Sequence, residues 1–158
     1  MEECVKSFAC KDRSRKGRTM LASTLIATSA GIVLLFGSIH LLYTLHGNKL
    51  HPRDAAVMAA MQQTHPVITR QTTIWRANYG FNVTHSMGLM LFGLIYGYLA
   101  LAQSALLWQS AYLLSLGAVT LLIYVVVARR YFFRIPFVGM VAATLLYAVA
   151  LTINVVSG

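Results

Sequence analysis

The fold follows from residues 79–102, which read YGFNVTHSMGLMLFGLIYGYLALA and contain no charged residue. At a rise of about 1.5 Å per residue, a helix of this length covers about 36 Å and crosses a hydrocarbon core of about 30 Å. Its apolar residues follow one another without strict alternation, which favours a membrane-spanning helix over a barrel strand. We therefore interpret this stretch as a transmembrane helix.

Three further apolar runs have the same character and lie at about residues 21–45, 106–128 and 135–156. A basic segment, residues 1–19, precedes the first run, and a polar loop, residues 46–78, separates it from the stretch quoted above. The sequence predicts an all-α polytopic membrane protein, with a four-transmembrane-helix bundle as a single domain over residues 20–158. Because residues 1–19 are polar and basic, we expect them to form a disordered tail beside the membrane.

The composition supports a membrane protein and limits its partners. The chain is 58% hydrophobic and 11% charged, whereas soluble domains carry roughly 25% charged residues. Its 13 Lys and Arg residues outnumber the 4 acidic ones, and they all lie outside the apolar runs. They form no basic stripe interleaved with stacking aromatics in a soluble segment, so nucleic acid is not an expected partner. Anionic lipid head groups of the membrane are the expected partner.

The polar loop is predicted to contain one short helix. Ala55 to Gln63 favour helix, with Pro52 in the first turn and Asp54 complementing the helix dipole. The His65-Pro66 pair is expected to interrupt it. The two sides of the membrane receive nearly equal numbers of Lys and Arg, so the positive-inside rule does not decide the orientation.

Small residues recur at four-residue spacing in three of the predicted spans, and close packing of membrane helices depends on such residues. They are Ser23, Ala27 and Gly31 in the first span, Gly93 and Gly97 in the second, and Gly139 and Ala143 in the fourth. We interpret them as intramolecular helix-packing positions. The alternative is that one of these faces forms a homo-oligomer or docks on a larger membrane complex.

The second span opens with polar residues that fall on one helical face. Asn78, Asn82 and His85 are three and four residues apart, so their side chains are neighbours on a helix. In the first span, His40 and Tyr43 lie near the end that meets the same loop. The two imidazoles are therefore expected at similar depth, on the order of 8–9 Å below the membrane boundary.

Polar groups inside a membrane are costly and usually face the bundle interior or a watery cavity. A polar pocket opening toward the basic loops is the natural inference, with Tyr124 of the third span approaching the same side. Its candidate residues are His40, Tyr43, Trp75, Arg76, Asn78, Asn82, His85 and Tyr124. Three uses remain open: hydrogen bonds that fix helix register, binding of a lipid head group, quinone or other small amphiphile, and ligation of haem or a metal by His40 and His85.

Catalysis finds little support in these residues. No carboxylate lies in an apolar run to pair with a histidine, and no nucleophile motif of the hydrolase type is present. Ser86 is adjacent to His85 in sequence, so on a helix their side chains point in different directions. We therefore expect a non-enzymatic accessory subunit or small-amphiphile- or lipid-binding protein. The alternative is a membrane redox or metal protein that uses His40 and His85.

A sequence box in the loop and second span resembles one found in a family of uncharacterised bacterial four-span membrane proteins. The box has the form Trp-Arg…Gly-Phe-Asn…His-Ser-x-Gly, and here it comprises Trp75-Arg76, Gly80-Phe81-Asn82 and His85-Ser86-Met87-Gly88, with Gly37-Ser38-Ile39-His40 and Pro52-Arg53-Asp54 upstream. The resemblance covers roughly residues 30–102. It implies an integral protein of the bacterial inner (cytoplasmic) membrane and a polar cluster shared by the family, and it implies no activity.

Overall fold

A computed structural model describes the backbone from Glu2 to Ser157 and the side chains of residues 16–155. The described chain is all-α and contains no strand. Its helices are α1 (Glu2–Leu45), α2 (Ala55–Gln63), α3 (Ile74–Ala102), α4 (Ser104–Gln109), α5 (Ala111–Tyr131) and α6 (Arg134–Ser157).

Four of these helices contain segments that are long and apolar enough to cross a membrane, judged by length and composition. The segments are Lys16–Leu45, Ile74–Ala102, Ala111–Tyr131 and Arg134–Val155. The predicted fold class and the predicted number and order of spans are therefore confirmed.

The boundaries of the first two spans differ from those predicted. Helix α1 extends back to Glu2, where the sequence predicts a disordered tail over residues 1–19. That segment contains no proline and a single glycine, Gly17, so nothing in it stops a helix that propagates from the apolar run. Helix α3 begins at Ile74 rather than near residue 79, because the Thr73 hydroxyl accepts the Arg76 backbone N–H at 3.3 Å and caps the helix.

The sequence predicts one continuous third span that begins near residue 106. In the structure, a break at Ser110 divides this segment. Ser110 is extended, and its hydroxyl accepts the backbone N–H of Leu113 at 3.2 Å, which caps the start of α5. Helix α4 is thus a separate short element, and the third span begins after it. Hydropathy did not reveal the break because Gln109 and Ser110 are only two polar residues within a largely apolar stretch.

The loop helix α2 has the predicted range, Ala55–Gln63. Its cap differs from the prediction, since the Asp54 carboxylate accepts the Ala56 backbone N–H at 2.8 Å and is therefore the N-cap residue. Pro52 precedes the helix instead of occupying its first turn. The helix ends before the His65-Pro66 pair as expected.

The described chain divides into two compact units, and helices α1 and α3 contribute to both. Unit 1 comprises residues 1–33 and 92–158, and unit 2 comprises residues 34–91. In unit 1, the fully buried residues Ile26, Leu107, Leu121 and Tyr147 form an apolar core.

Hydrogen bonds between helices reinforce the core of unit 1. The Ser29 hydroxyl donates to the Ala143 carbonyl at 2.7 Å, which ties α1 to α6. The Trp108 indole N–H donates to the Ser23 hydroxyl at 2.9 Å, which ties α4 to α1. Hydrogen bonds of this kind supply part of the association energy of helices in lipid.

The helix-packing glycines predicted from spacing are not the ones around which the structure packs most tightly. Gly31 is exposed, and a Cβ built on Gly31 or on Gly97 would meet no atom within 4 Å. Gly93 is buried and Gly139 is half-buried. The buried face of the first span instead runs through Ala22, Ile26, Ala30 and Val33. Of the predicted Ser23, Ala27 and Gly31 face, Ser23 is buried, Ala27 is half-buried and Gly31 is exposed, so the prediction holds only in part.

Two other glycines mark the closest approaches between helices. In unit 1, a Cβ on Gly117 would lie 2.5 Å from the Tyr147 hydroxyl oxygen and 2.7 Å from Cε1 of Tyr96. In unit 2, a Cβ on Gly37 would lie 2.9 Å from Cβ of Leu89 and 3.0 Å from the backbone nitrogen of Met90. Each glycine therefore permits a contact that a side chain would prevent.

Candidate functional site

A hydrogen bond between α1 and α3 forms the centre of the candidate site in unit 2. Nε2 of His40 lies 3.0 Å from Oδ1 of Asn82, and the Asn82 amide nitrogen donates to the Asn78 carbonyl at 2.8 Å. The second bond fixes the amide orientation, because only the nitrogen of the amide can donate. Oδ1 therefore faces His40, and Nε2 of His40 must carry a proton. In the neutral imidazole, Nδ1 is then an acceptor.

The second imidazole lies beside the first. The ring centroids of His40 and His85 are 5.5 Å apart and the planes are nearly perpendicular, at 89°. The Phe81 ring, one turn before His85 on α3, is almost parallel to its imidazole at a centroid distance of 6.3 Å. The predicted proximity of the two imidazoles is confirmed. We refer to His40, Asn82 and His85, which are all half-buried, as the imidazole cluster.

Two buried hydroxyls beside the cluster bond to the backbone of their own helices. Ser86 is fully buried and donates to the Asn82 carbonyl at 2.8 Å, and Thr44 donates to the His40 carbonyl at 2.8 Å. Such bonds satisfy a hydroxyl inside an apolar environment. The Ser86 hydroxyl is thus directed at a backbone carbonyl of its own helix.

The remaining predicted pocket residues of unit 2 lie nearer the loop. Along α3, His85 lies about 16 Å from the helix end that meets the loop. Along α1, His40 lies only about 8 Å from the end that meets the same loop. The first two turns of α3 therefore extend beyond α1. Trp75, on the first of these turns, packs edge-to-face on the loop residue His51, with ring centroids 4.7 Å apart. Arg76 is exposed.

Tyr43 also faces the loop. The ammonium nitrogen of Lys49 lies 4.2 Å from the centre of the Tyr43 ring, a distance typical of a cation–π contact. Tyr124 belongs to unit 1, where its ring packs edge-to-face on Phe92 at 6.0 Å. Its predicted approach to the imidazole cluster stays a prediction.

The imidazole cluster does not fit a haem. A bis-histidine haem needs its macrocycle between the two rings, but Nε2 of His40 bonds to Asn82, and α1 meets α3 at Gly37, one turn before His40. Nor does it fit a metal centre with three protein ligands, because no group of three or more His, Cys, Asp or Glu comes together among the described residues.

The sequence analysis missed the aromatic neighbours of the cluster. Phe81 precedes His85 by four residues, so the i, i+4 rule alone could have paired them. No sequence signal pairs His51 with Trp75, because that contact depends on the path of the loop. Comparison of the chain with protein-family models, curated proteins and solved structures finds no match. The function is therefore argued from the geometry.

Proposed function

We propose that this chain is a non-enzymatic membrane protein that binds a small neutral amphiphile at the imidazole cluster. The observation that carries the proposal is the His40–Asn82 hydrogen bond with the His85 ring beside it, inside spans of apolar sequence. Polar groups at membrane depth are costly and usually mark function. The three side chains are only half-buried. A polar head group that hydrogen-bonds to them therefore offsets part of the free-energy cost of placing polar groups inside the membrane.

The hydrogen-bonding pattern indicates which head group fits. Asn82 uses its Oδ1 for His40 and its amide nitrogen for Asn78, so the cluster meets a ligand chiefly through imidazole nitrogen. Nδ1 of neutral His40 accepts a hydrogen bond, which a hydroxyl donates. No acidic residue follows Asp54 in the sequence, so the cluster has no carboxylate on α3 to hold a cationic head. A hydroxyl-bearing amphiphile, such as a quinol, is the ligand class that we propose.

We expect a decyl-substituted quinol to bind the full-length chain in nanodiscs saturably, and about tenfold more tightly than the corresponding quinone. The reason is that the quinone has no hydroxyl to donate to His40, and one hydrogen bond to this half-buried acceptor is worth about 1.4 kcal/mol. Retention of radiolabelled ligand on immobilised nanodiscs, under reducing and oxidising conditions, measures the difference.

The variant His40→Leu should remove the preference for the quinol. Thr84→Val is the control, because the exposed Thr84 hydroxyl on α3 bonds to the Phe81 carbonyl of its own helix, and this variant should behave as the unmodified chain does. Equal, non-saturable retention of both ligands by all three proteins would mean simple partitioning into lipid and would contradict the proposal.

An accessory role in a larger membrane complex is the second candidate. Its support is the open space at Gly31 and Gly97, which leaves room for the close approach of a helix from another chain. The particle size in mild detergent distinguishes a lone subunit from an assembly. As location we propose the bacterial inner membrane, since helical spans suit that membrane and the sequence box resembles one in bacterial proteins.

A further inference from the structure

The turn between α5 and α6, in unit 1, holds a groove that the imidazole cluster does not use. The groove has a volume of about 420 Å³ and is lined by Arg129, Arg134, Phe132, Phe133 and Phe137 among other residues. Its size falls within the range of small-molecule sites, about 300–1,000 Å³. Because it lies where two membrane-spanning segments end, we place it at the membrane interface.

No acidic residue near this groove in the sequence compensates the positive charge of its arginines. Arg129, Arg130 and Arg134 fall within six residues, and no Asp or Glu occurs anywhere after Asp54. The segment of unit 1 from residue 92 onward therefore offers no carboxylate to these guanidinium groups. An anion is the complementary ligand, and the interface of a membrane supplies phosphate groups at high local concentration.

The aromatic residues give the groove an apolar floor and orient one of the cations. The Arg129 guanidinium carbon lies 5.5 Å from the centre of the Phe137 ring, a cation–π geometry. A guanidinium carries its N–H donors in a planar fork that can bond two phosphate oxygens at once. Phe133 is 68% exposed, so its ring can contact an acyl chain or glycerol backbone.

We propose that this groove binds one anionic phospholipid, with the phosphodiester between Arg129 and Arg134 and the glycerol region on the phenylalanine rings. The combination of two guanidinium groups and an aromatic floor distinguishes a lipid from a free anion, which needs only the cations. The inference is independent of ligand binding at the imidazole cluster, because it rests on other residues in the other unit.

The test is native mass spectrometry of the full-length chain in mild detergent, with phosphatidylglycerol as probe and phosphatidylcholine as the zwitterionic comparison. We expect one phosphatidylglycerol to bind per chain with clear preference over phosphatidylcholine. The double variant Arg129→Gln/Arg134→Gln should weaken binding about 25-fold, taking about 1 kcal/mol for each cation.

The matched control removes the same charge elsewhere. Arg53→Gln/Arg70→Gln changes two exposed arginines in the loop of unit 2 and should alter binding less than about twofold. If both double variants weaken binding equally, or if phosphatidylcholine binds as well as phosphatidylglycerol, the groove is not a lipid site. Displacement of the lipid by millimolar inorganic phosphate would likewise overturn the proposal.

A further variant separates binding from folding. Arg129→Lys/Arg134→Lys keeps both charges but loses the bidentate geometry. We expect it to bind phosphatidylglycerol more weakly than the unmodified chain and more tightly than the glutamine variant. Binding equal to that of the glutamine variant, with an unchanged melting temperature, would contradict the role assigned to charge.

Discussion

Leucine at position 117 should prevent unit 1 from folding normally. A Cβ alone would already lie 2.5 Å from the Tyr147 hydroxyl oxygen and 2.7 Å from the Tyr96 ring. Neither ring can move freely, since Tyr147 donates to the Leu114 carbonyl at 3.0 Å and Tyr96 to the Leu113 carbonyl at 2.7 Å. We expect Gly117→Leu to lower the free energy of unfolding by about 3 kcal/mol or more, from overpacking together with a broken hydrogen bond.

Thermal melting in detergent, followed by circular dichroism, measures this loss. Gly97→Leu is the control, because a Cβ there meets nothing within 4 Å, and its stability should equal or exceed that of the unmodified chain. A double-mutant cycle refines the test: Gly117→Ala should cost less in a Tyr147→Phe background, which lacks the hydroxyl nearest the new Cβ. Additive effects would show that the two residues are not in contact.

Leucine at position 37 should have the second largest effect, and it should act on the imidazole cluster. A Cβ on Gly37 would lie 3.0 Å from the backbone nitrogen of Met90, and a helix backbone cannot rotate away as a side chain can. Helices α1 and α3 must therefore separate in unit 2. The His40–Asn82 hydrogen bond lies one turn further along α1, so we expect Gly37→Leu to break it.

The expected result for Gly37→Leu is a loss of about 1–3 kcal/mol in stability and loss of the preference for quinol over quinone. Melting in detergent and retention of ligand on nanodiscs measure the two effects. Gly88→Leu is the matched control within unit 2, because its surroundings are open. Quinol preference retained in Gly37→Leu would show that the ligand does not depend on contact between α1 and α3.

The sequence predicts the four spans well because each is a long apolar run, and length alone distinguishes such runs from other helices. Two of its errors fall where a single polar side chain determines a boundary. Thr73 begins α3 before the apolar run and Ser110 divides the predicted third span, each by accepting a backbone N–H. Capping of this kind does not change the hydropathy of the segment, so hydropathy cannot reveal it.

The candidate site was predictable to the extent that it depends on periodicity and depth. His40 and His85 are each a short distance from one shared loop, and this predicts their proximity. The choice of close-packed glycines was not predictable, because four-residue spacing of small residues does not show which glycine meets a neighbouring helix. In the structure Gly37 is buried against α3, whereas Gly31 is exposed.

The pairing of His40 with Asn82 is the contact on which the proposed ligand site depends. Solid-state NMR of the labelled full-length chain in lipid bilayers tests it directly, through correlations between imidazole and amide side-chain nuclei. The account predicts a correlation between His40 and Asn82, whose Nε2 and Oδ1 are 3.0 Å apart, as strong as that between Trp108 and Ser23 at 2.9 Å. Detection of the Trp108–Ser23 correlation without the His40–Asn82 correlation would contradict it.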